Sequence, residues 1–388
     1  MKLEFYNCPP PSDFNPAILP PSPQFLSYVP DFKFLEDFAR AHEKYKNVLV
    51  IGHGGSITSF YGYYNALKSF TNKHAYFLNT VDPDYIAELK TELKKEDTLV
   101  VCISKSGDNI TLLEMFSQFM DYPGVVITGK ASALRAMAEK LGLKVITHPP
   151  IGGRYTGLTE IALLPAILCG LDAEEIFQRA EKTYQNYASE NLAWKAASVF
   201  YQLEQQGYVD VFMPFYTHGL FYMSSLIIQL CHESFGKNGK GQTYFAHEAP
   251  ESQHHTNQRF FGGAKNICGF FTSVEHFEHE LFAFYPPQTH SVQIKGRALF
   301  DINKIPLNES LRAELLGTLE DARISSIPLA HLSLSSITPA EVGEFTAFWQ
   351  LFAVYSSVLR GVDPFDQPQV ENSKKISFNK RLQYKGLL

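Results

Sequence analysis

No two cysteines in the chain are spaced as CxxC, and the five present, Cys8, Cys102, Cys169, Cys231 and Cys268, are scattered through mostly apolar runs. That argues against a zinc ribbon or dithiol redox centre and for buried thiols in a reducing, cytoplasmic setting. Long apolar runs are also missing. The longest, Ile161 to Cys169, is interrupted by Pro165, and Met1 to Pro16 holds no apolar core of signal-peptide length, so no membrane span is expected. An excess of basic residues is absent as well. A formal net charge of −6 gives no broad positive surface, which leaves nucleic acid and anionic membranes as unexpected partners. Any anion must then be bound locally. With 45% hydrophobic and 19% charged residues the chain is not of the disordered class, and 388 residues exceed what one compact core usually holds.

Two lobes are therefore expected. Residues 9–30, rich in proline, predict an extended arm lying on the body or on a neighbouring subunit. From residue 46, β-branched runs at 48–52, 75–79, 98–104, 124–128 and 144–147 alternate with helix-like segments near 59–69, 84–95, 109–120 and 132–141. That alternation predicts a parallel sheet covered on both faces, with ligands at the carboxyl ends of its strands. Asp172 and Glu175 have the spacing of a capping box and open a bridging helix over 176–187. A second α/β unit follows, with strands at 208–214, 266–273 and 325–333, a long helix over 218–232 and another near 308–321. A helix over 340–358 leads into a polar, basic tail whose composition predicts little structure. The expected divisions are an arm (1–45), a first domain (46–185), a second (186–340) and a C-terminal helix with tail (341–388).

Six segments carry candidate chemistry. Gly52-His53-Gly54-Gly55-Ser56 follows a strand and opens a helix, where glycines allow close backbone approach and free N–H groups face an anion. It lacks the Walker lysine and the full GxGxxG spacing, and a tight turn without a ligand reads the same way. Ser104-Lys105-Ser106-Gly107-Asp108-Asn109 ends another strand and offers short hydroxyl and amide groups for phosphate oxygens; a capped helix start is its bland counterpart. In Gly152-Gly153-Arg154 the arginine is able to face a developing oxyanion, or simply to lie at the surface of a Gly-Gly turn. Gln229 to Lys237 reads QLCHESFGK: Glu233 sits near a helix end in apolar company, a setting that strips solvent from a carboxylate and favours a general base. HExxH would need histidine at Gly236, which excludes the zinc-protease reading. Gln253-His254-His255 offers proton shuttling, or with His247 a metal site. The tail segment, Asp366-Gln367 to Lys374, carries nothing distinctive alone.

Taken in order, GGS, SKS, GGRYTGLTEIALLP, HESFGK, QHHTNQ and FDQPQVENSK resemble blocks of the glucose-6-phosphate isomerase family, across residues 52–374. The resemblance implies an α/β fold of two sugar-isomerase (SIS) domains, each three-layered with a parallel sheet, plus the arm and a helical tail. It implies aldose–ketose isomerisation of a sugar phosphate with neither metal nor other cofactor. Glu233 is implied as the base moving a proton between C1 and C2, Arg154 as the partner of the enediolate, and His254 with Lys374 as the ring-opening pair. Gln229 and Gln367 are implied to line the substrate, with Gly55, Ser56, Ser104, Lys105 and Ser106 at its phosphate. Asn109 stands where the family usually has threonine, and ENSK replaces the commoner ELGK. The histidine reaches the site from a partner subunit in this family, which implies a homodimer with shared sites. A dual-specificity phosphoglucose/phosphomannose isomerase differs by its acceptance of the C2 epimer. A SIS-domain sensor would not need Glu233, Arg154 and Lys374 together, and residues 1–45 are too short for an aminotransferase's glutaminase domain.

Overall fold

The computed structural model describes residues 1–388. Its first element departs from the expected arm: β1 (Lys2–Tyr6) is a strand, paired antiparallel with a segment more than three hundred residues away. The proline-rich stretch behind it lies on the body of its own chain. Trp194 Nε1 donates to the Ser12 carbonyl at 2.9 Å, and the Tyr28 hydroxyl donates to the buried Glu160 carboxylate at 2.7 Å. Helix α1 (Phe32–Ala41), whose Phe34 N–H donates to the Asp31 side chain, then delivers the chain to the first sheet.

That sheet consists of β2 (Asn47–Ile51), β3 (His74–Leu78), β4 (Thr98–Ser104), β5 (Gly124–Thr128) and β6 (Lys144–Thr147), all parallel, in the order β3-β2-β4-β5-β6. Each coincides with an expected β-branched run. Helices α2 (Thr58–Ala66), α3 (Pro83–Glu92), α4 (Ile110–Ser117) and α5 (Ala133–Lys140) make the crossovers. Strand residues alternate between two apolar layers: Leu49, Ile51, Val100 and Cys102 face α3, α4 and α5, whereas Val48, Val50, Val101 and Ile103 join the core between the lobes. The strand order reverses between β2 and β4, so a crevice opens at their carboxyl ends, just beyond Ile51 and Ser104.

Helices α6 (Glu160–Leu168), α7 (Ala173–Tyr184) and α8 (Leu192–Gln205) lead to the second sheet. Helix α7 is capped by Asp172, which accepts from Glu175 N at 2.9 Å. The expected helix over 218–232 is two pieces, α9 (His218–Phe221) and α10 (Ser224–Phe235), separated at Tyr222-Met223. Strands β7 (Asp210–Tyr216), β8 (Thr243–Glu248) and β9 (Ile267–Val274), with α11 (Thr256–Gly262) between the last two, precede a surface excursion holding the hairpin β10 (Gln293–Ile294) and β11 (Arg297–Ala298). Helix α12 (Leu307–Ile324) and β12 (Leu329–Leu334) complete the unit in the order β1-β12-β9-β7-β8. Only β1 is antiparallel.

Helix α13 (Pro339–Leu359) is no appendage. Thr338 caps it, Pro339 fills its first position, and most of its length is buried against α7, α8 and α10. A single apolar cluster of 68 buried residues runs through it and takes in both sheets, so the two lobes share one core. The tail, expected to have little structure, forms α14 (Glu371–Tyr384), a helix with no buried residue. No helix of the chain is long and apolar enough to cross a membrane. Phe352 of α13 is fully buried, its ring centroid within 6.4 Å of those of Phe200, Phe235, Tyr244, Phe270, Phe348 and Trp349. Phe352→Ala is expected to remove about 3–5 kcal/mol of stability. Urea unfolding should show one transition displaced as a whole; separate transitions for two lobes would contradict a shared core.

Candidate active site

The crevice at the β2/β4 switch point is a cavity of about 1190 Å³, walled by three loops and roofed by α14. The first loop, Gly52 to Ser56, makes one 3-10 turn before α2. Gly54 has φ +51°, and a Cβ there would meet Gln229 Nε2 at 2.8 Å. At Gly55 a Cβ would lie 2.0 Å from the Gly153 carbonyl carbon. Gly55 is thus required by contact with the arginine loop, rather than by ligand approach alone. Ser56 lines the cavity, and the Thr58 hydroxyl donates to Gln229 Oε1 at 2.9 Å.

The second loop follows β4. Ser104 Oγ accepts from Gly107 N at 3.1 Å, and Gly107, at φ +65°, turns the chain back beneath the exposed Lys105 and Ser106. Asn109 Oδ1 accepts from Leu112 N at 3.1 Å and caps α4, so its oxygen is already committed within the chain. Ser104, Lys105, Ser106 and Asn109 all line the cavity.

Arg154 does not lie at the surface of the Gly-Gly turn: it is 2% exposed and held in a 3-10 segment. Its Nε donates to Ser234 Oγ at 2.9 Å. Nη1 donates to Glu233 Oε2 at 3.0 Å and to Gln367 Oε1 at 2.8 Å. Nη2 donates to the Pro364 carbonyl at 2.5 Å and the Asp366 carbonyl at 3.0 Å. A buried guanidinium cannot be left unpaired without a large penalty, and here all five N–H groups have partners. Glu233 departs from its expected apolar setting for a reason of helical phase. Leu226, Ile227, Leu230 and Cys231 of α10 turn into the core, while Gln229 and Glu233, four residues apart, share the face towards the cavity. Gln229 Nε2 donates to Glu233 Oε1 at 3.0 Å, so one carboxylate oxygen meets the amide and the other the guanidinium.

The tail closes the cavity. Gln367 is gripped by Arg154, and Lys374, one turn into α14, lines the cavity with its ammonium paired to Glu371 at 2.8 Å. Several contributors had no assigned role from sequence. Lys237 Nζ donates to the Asp363 and Asp366 carbonyls, each at 2.7 Å, and fixes the segment leading to α14. His53, Asp108, Thr111, Glu371 and Lys375 also line the cavity. Burial holds His53 below the usual histidine range, opposed by the Asn79 backbone and reinforced by the Lys374 charge, so its ring is neutral at neutral pH. Lys237, His53, Asp108, Thr111 and Glu371 fall within or beside the sequence motifs without a role read for them, and Lys375 had no such signal.

His254 is not in its own chain's cleft. It ends a 3-10 turn beside α12, in a separate surface hollow with Asn257, Gln258 and Asp321. Gln253 pins that turn, donating to Tyr216 Oη at 3.1 Å and Thr318 Oγ1 at 3.0 Å. The rings of His247 and His255 meet edge-on at 4.9 Å, and no third histidine, cysteine or carboxylate joins them in a metal-binding group.

A family model described as phosphoglucose isomerase matches residues 36–385, and its span includes every loop of the cavity. The chain belongs to the phosphoglucose isomerase family. The isomerase class expected from sequence stands with that membership. Glucose-6-phosphate isomerases of Carboxydothermus hydrogenoformans and Streptococcus mutans are 26% and 27% identical to it, covering 91% and 88% of this chain and 83% of each relative. A hypothetical protein of Thermus thermophilus superposes with TM-score 0.82 at 26% identity, over 92% of this chain and 89% of the other. A glucose-6-phosphate isomerase of Chlamydia trachomatis, 20% identical, shares the fold at TM-score 0.78 over 91% of this chain and 73% of its own. Neighbours that include a putative phosphosugar isomerase of Clostridium difficile fit the expected parallel-sheet α/β class.

The contact at Gly55 yields a direct test. Gly55→Ala forces backbone against backbone and is expected to cost at least about 1–3 kcal/mol through overpacking. Gly152→Ala, whose Cβ would find its nearest neighbour at 4.0 Å, should be close to neutral. Urea midpoints that shift equally for the two would contradict the packing role of Gly55.

Proposed function

We propose that the chain interconverts D-glucose 6-phosphate and D-fructose 6-phosphate, in glycolysis and gluconeogenesis, by proton transfer through a cis-enediolate. The observation that carries this reading is the Glu233–Arg154 pair at 3.0 Å, in a cavity whose other wall bears Ser104, Lys105 and Ser106. Ser56, Ser104, Lys105 and Ser106, with Asn109, take the phosphate at the carboxyl end of the sheet, and that anchor orients the sugar for reaction. Glu233 accepts the C2 proton of the open-chain aldose while the C2–H electron pair forms the C1=C2 bond and the carbonyl π pair moves to O1, giving the enediolate. The same carboxyl returns a proton to C1, and loss of the O2 proton to O1 completes the ketose. Arg154, fixed in place by its five partners, sets a buried positive charge beside the oxygen charge. Gln229 and Gln367 hold the reacting end. The step uses only side chains, and no metal or cofactor enters it.

Lys374 and His254 serve ring opening, with His254 supplied by a partner subunit. The support for a shared site is that His254 lies in a hollow separate from its own chain's cleft. We infer a homodimer, a cytoplasmic location, and functional divisions near those expected from sequence: 46–185 for the phosphate loops, 186–340 for the base and 341–388 for the lysine. Residues 1–45 differ from a simple arm by their contribution to the second sheet.

Four measurements test this. Glu233→Gln is expected to lose about 10²–10⁴-fold in turnover with fructose 6-phosphate while still binding it; wild-type turnover would remove Glu233 from the mechanism. Activity should survive EDTA, and loss restored by zinc or manganese would instead bring in His247, His254 and His255. Mixing inactive His254→Ala with inactive Glu233→Gln should restore activity on subunit exchange, since each mixed dimer then holds one unaltered site. No recovery after verified exchange would refute shared sites. Mannose 6-phosphate as a competing substrate distinguishes the glucose-specific enzyme from the dual-specificity one.

A further inference from the structure

Helix α14 presents a problem of attachment. It carries Lys374 over the cavity, yet none of its fourteen residues is buried, so apolar packing contributes little to holding it there. Its entry is fixed, because Arg154 and Lys237 grip Pro364, Asp366 and Gln367 just before it. Its far end is held by one side chain. Arg381 Nε donates to Glu114 Oε1 and Nη2 to Glu114 Oε2, both at 2.6 Å, in a two-pronged ion pair. Nη2 also reaches Thr111 Oγ1 at 3.3 Å, and Nη1 is occupied by Ser377 Oγ and its carbonyl, at 2.5 and 3.3 Å. Arg381 therefore has a full set of partners, like Arg154.

The positions of these partners matter. Glu114 and Thr111 belong to α4, the helix that begins at the Asn109 cap directly after Ser104-Lys105-Ser106. Lys374 and Arg381 are seven residues apart, two helical turns or roughly 10 Å, and so share one face of α14. Ser377 and Phe378 lie between them and line the cavity on the same side. A ligand settling at the start of α4 thus acts on a helix bonded directly to the one that carries the lysine.

We propose that the Arg381–Glu114 pair is a latch that positions Lys374, linking occupation of the phosphate loop to placement of the ring-opening group. Neither residue touches substrate; both act through α14. The proposal rests on the isomerase reading for its kinetic consequence, but not for the attachment itself. In Arg381→Ala the helix keeps its entry tether and loses its far one, so Lys374 samples positions away from the cavity.

The test combines kinetics with proteolysis on the full-length chain. Arg381→Ala and Glu114→Gln are each expected to lower kcat/KM for fructose 6-phosphate about tenfold, the scale of a charge-assisted hydrogen bond. The charge-reversed double variant, Glu114→Arg with Arg381→Glu, should recover most of that loss. Urea midpoints should stay at the wild-type value because α14 adds nothing to the core, and limited trypsin digestion should cut the tail faster in Arg381→Ala. Inorganic phosphate should slow tail cleavage in the wild type and not in the variant. Unchanged kcat/KM in Arg381→Ala overturns the latch, as does a loss that accompanies a lowered urea midpoint and is not rescued by charge reversal. If the unmodified chain shows no isomerase turnover, the isomerase reading falls on its own account. The digestion then decides the latch: faster tail cleavage in Arg381→Ala upholds it, and equal cleavage overturns it.

Discussion

The placement of one buried positive charge governs the site. Arg154 lies at the meeting point of the loop after the first sheet, the end of α10, and the segment from Pro364 to Gln367. A guanidinium taken out of water imposes five hydrogen-bond demands in a fixed plane, and these partners come from positions about 80 and 210 residues away. The same constraint that satisfies the charge fixes Glu233, orients Gln367 and brings the tail across the cavity. Gly55 follows from it too, because the loop that carries Arg154 leaves no room for a Cβ there.

Other buried cations extend this pattern along the C-terminal segment. Lys237 gathers the Asp363 and Asp366 carbonyls, and Arg360 pairs with Glu204 while its guanidinium lies 4.6 Å from the Phe235 ring centroid. Phe235 ends the helix that bears Glu233 and packs on Phe352 of α13. Charge satisfaction and aromatic packing therefore converge on one helix end. This places Glu233 on an element anchored in the shared core, with Lys374 carried by the unburied tail helix.

The sequence was most legible where physics is local. The strands of the first sheet are continuous β-branched runs bounded by turn residues, and each lies within a residue or two of its expected place. Strand β8 was missed because Thr243–Glu248 is a half-exposed edge with mixed composition, and α8 because its Asn191 cap was not read. Helix α14 offers no apolar stripe, so nothing periodic announced it. The glycine and serine loops of the cavity and Glu233 were legible as motifs at strand and helix ends. Arg154's rigidity was not, since every partner that enforces it is distant in sequence. The apolar setting expected for Glu233 failed for a related reason: neighbours in sequence fill the core while the carboxylate, by helical phase, faces the cavity.

Strand β1 has a consequence for how the chain is made. Its partner, Leu329–Leu334, leaves the ribosome more than three hundred residues after Lys2–Tyr6. The first sheet, complete by Thr147, can close while most of the second is unsynthesised, but the second sheet lacks its edge until almost the whole chain has emerged. For that interval Lys2–Tyr6 is a loose segment awaiting the last strand, and β12, once formed, presents an open row of backbone donors and acceptors. Pairing of β1 then covers β12, and the open edges of the sheet pass to β1 itself and to the half-exposed β8.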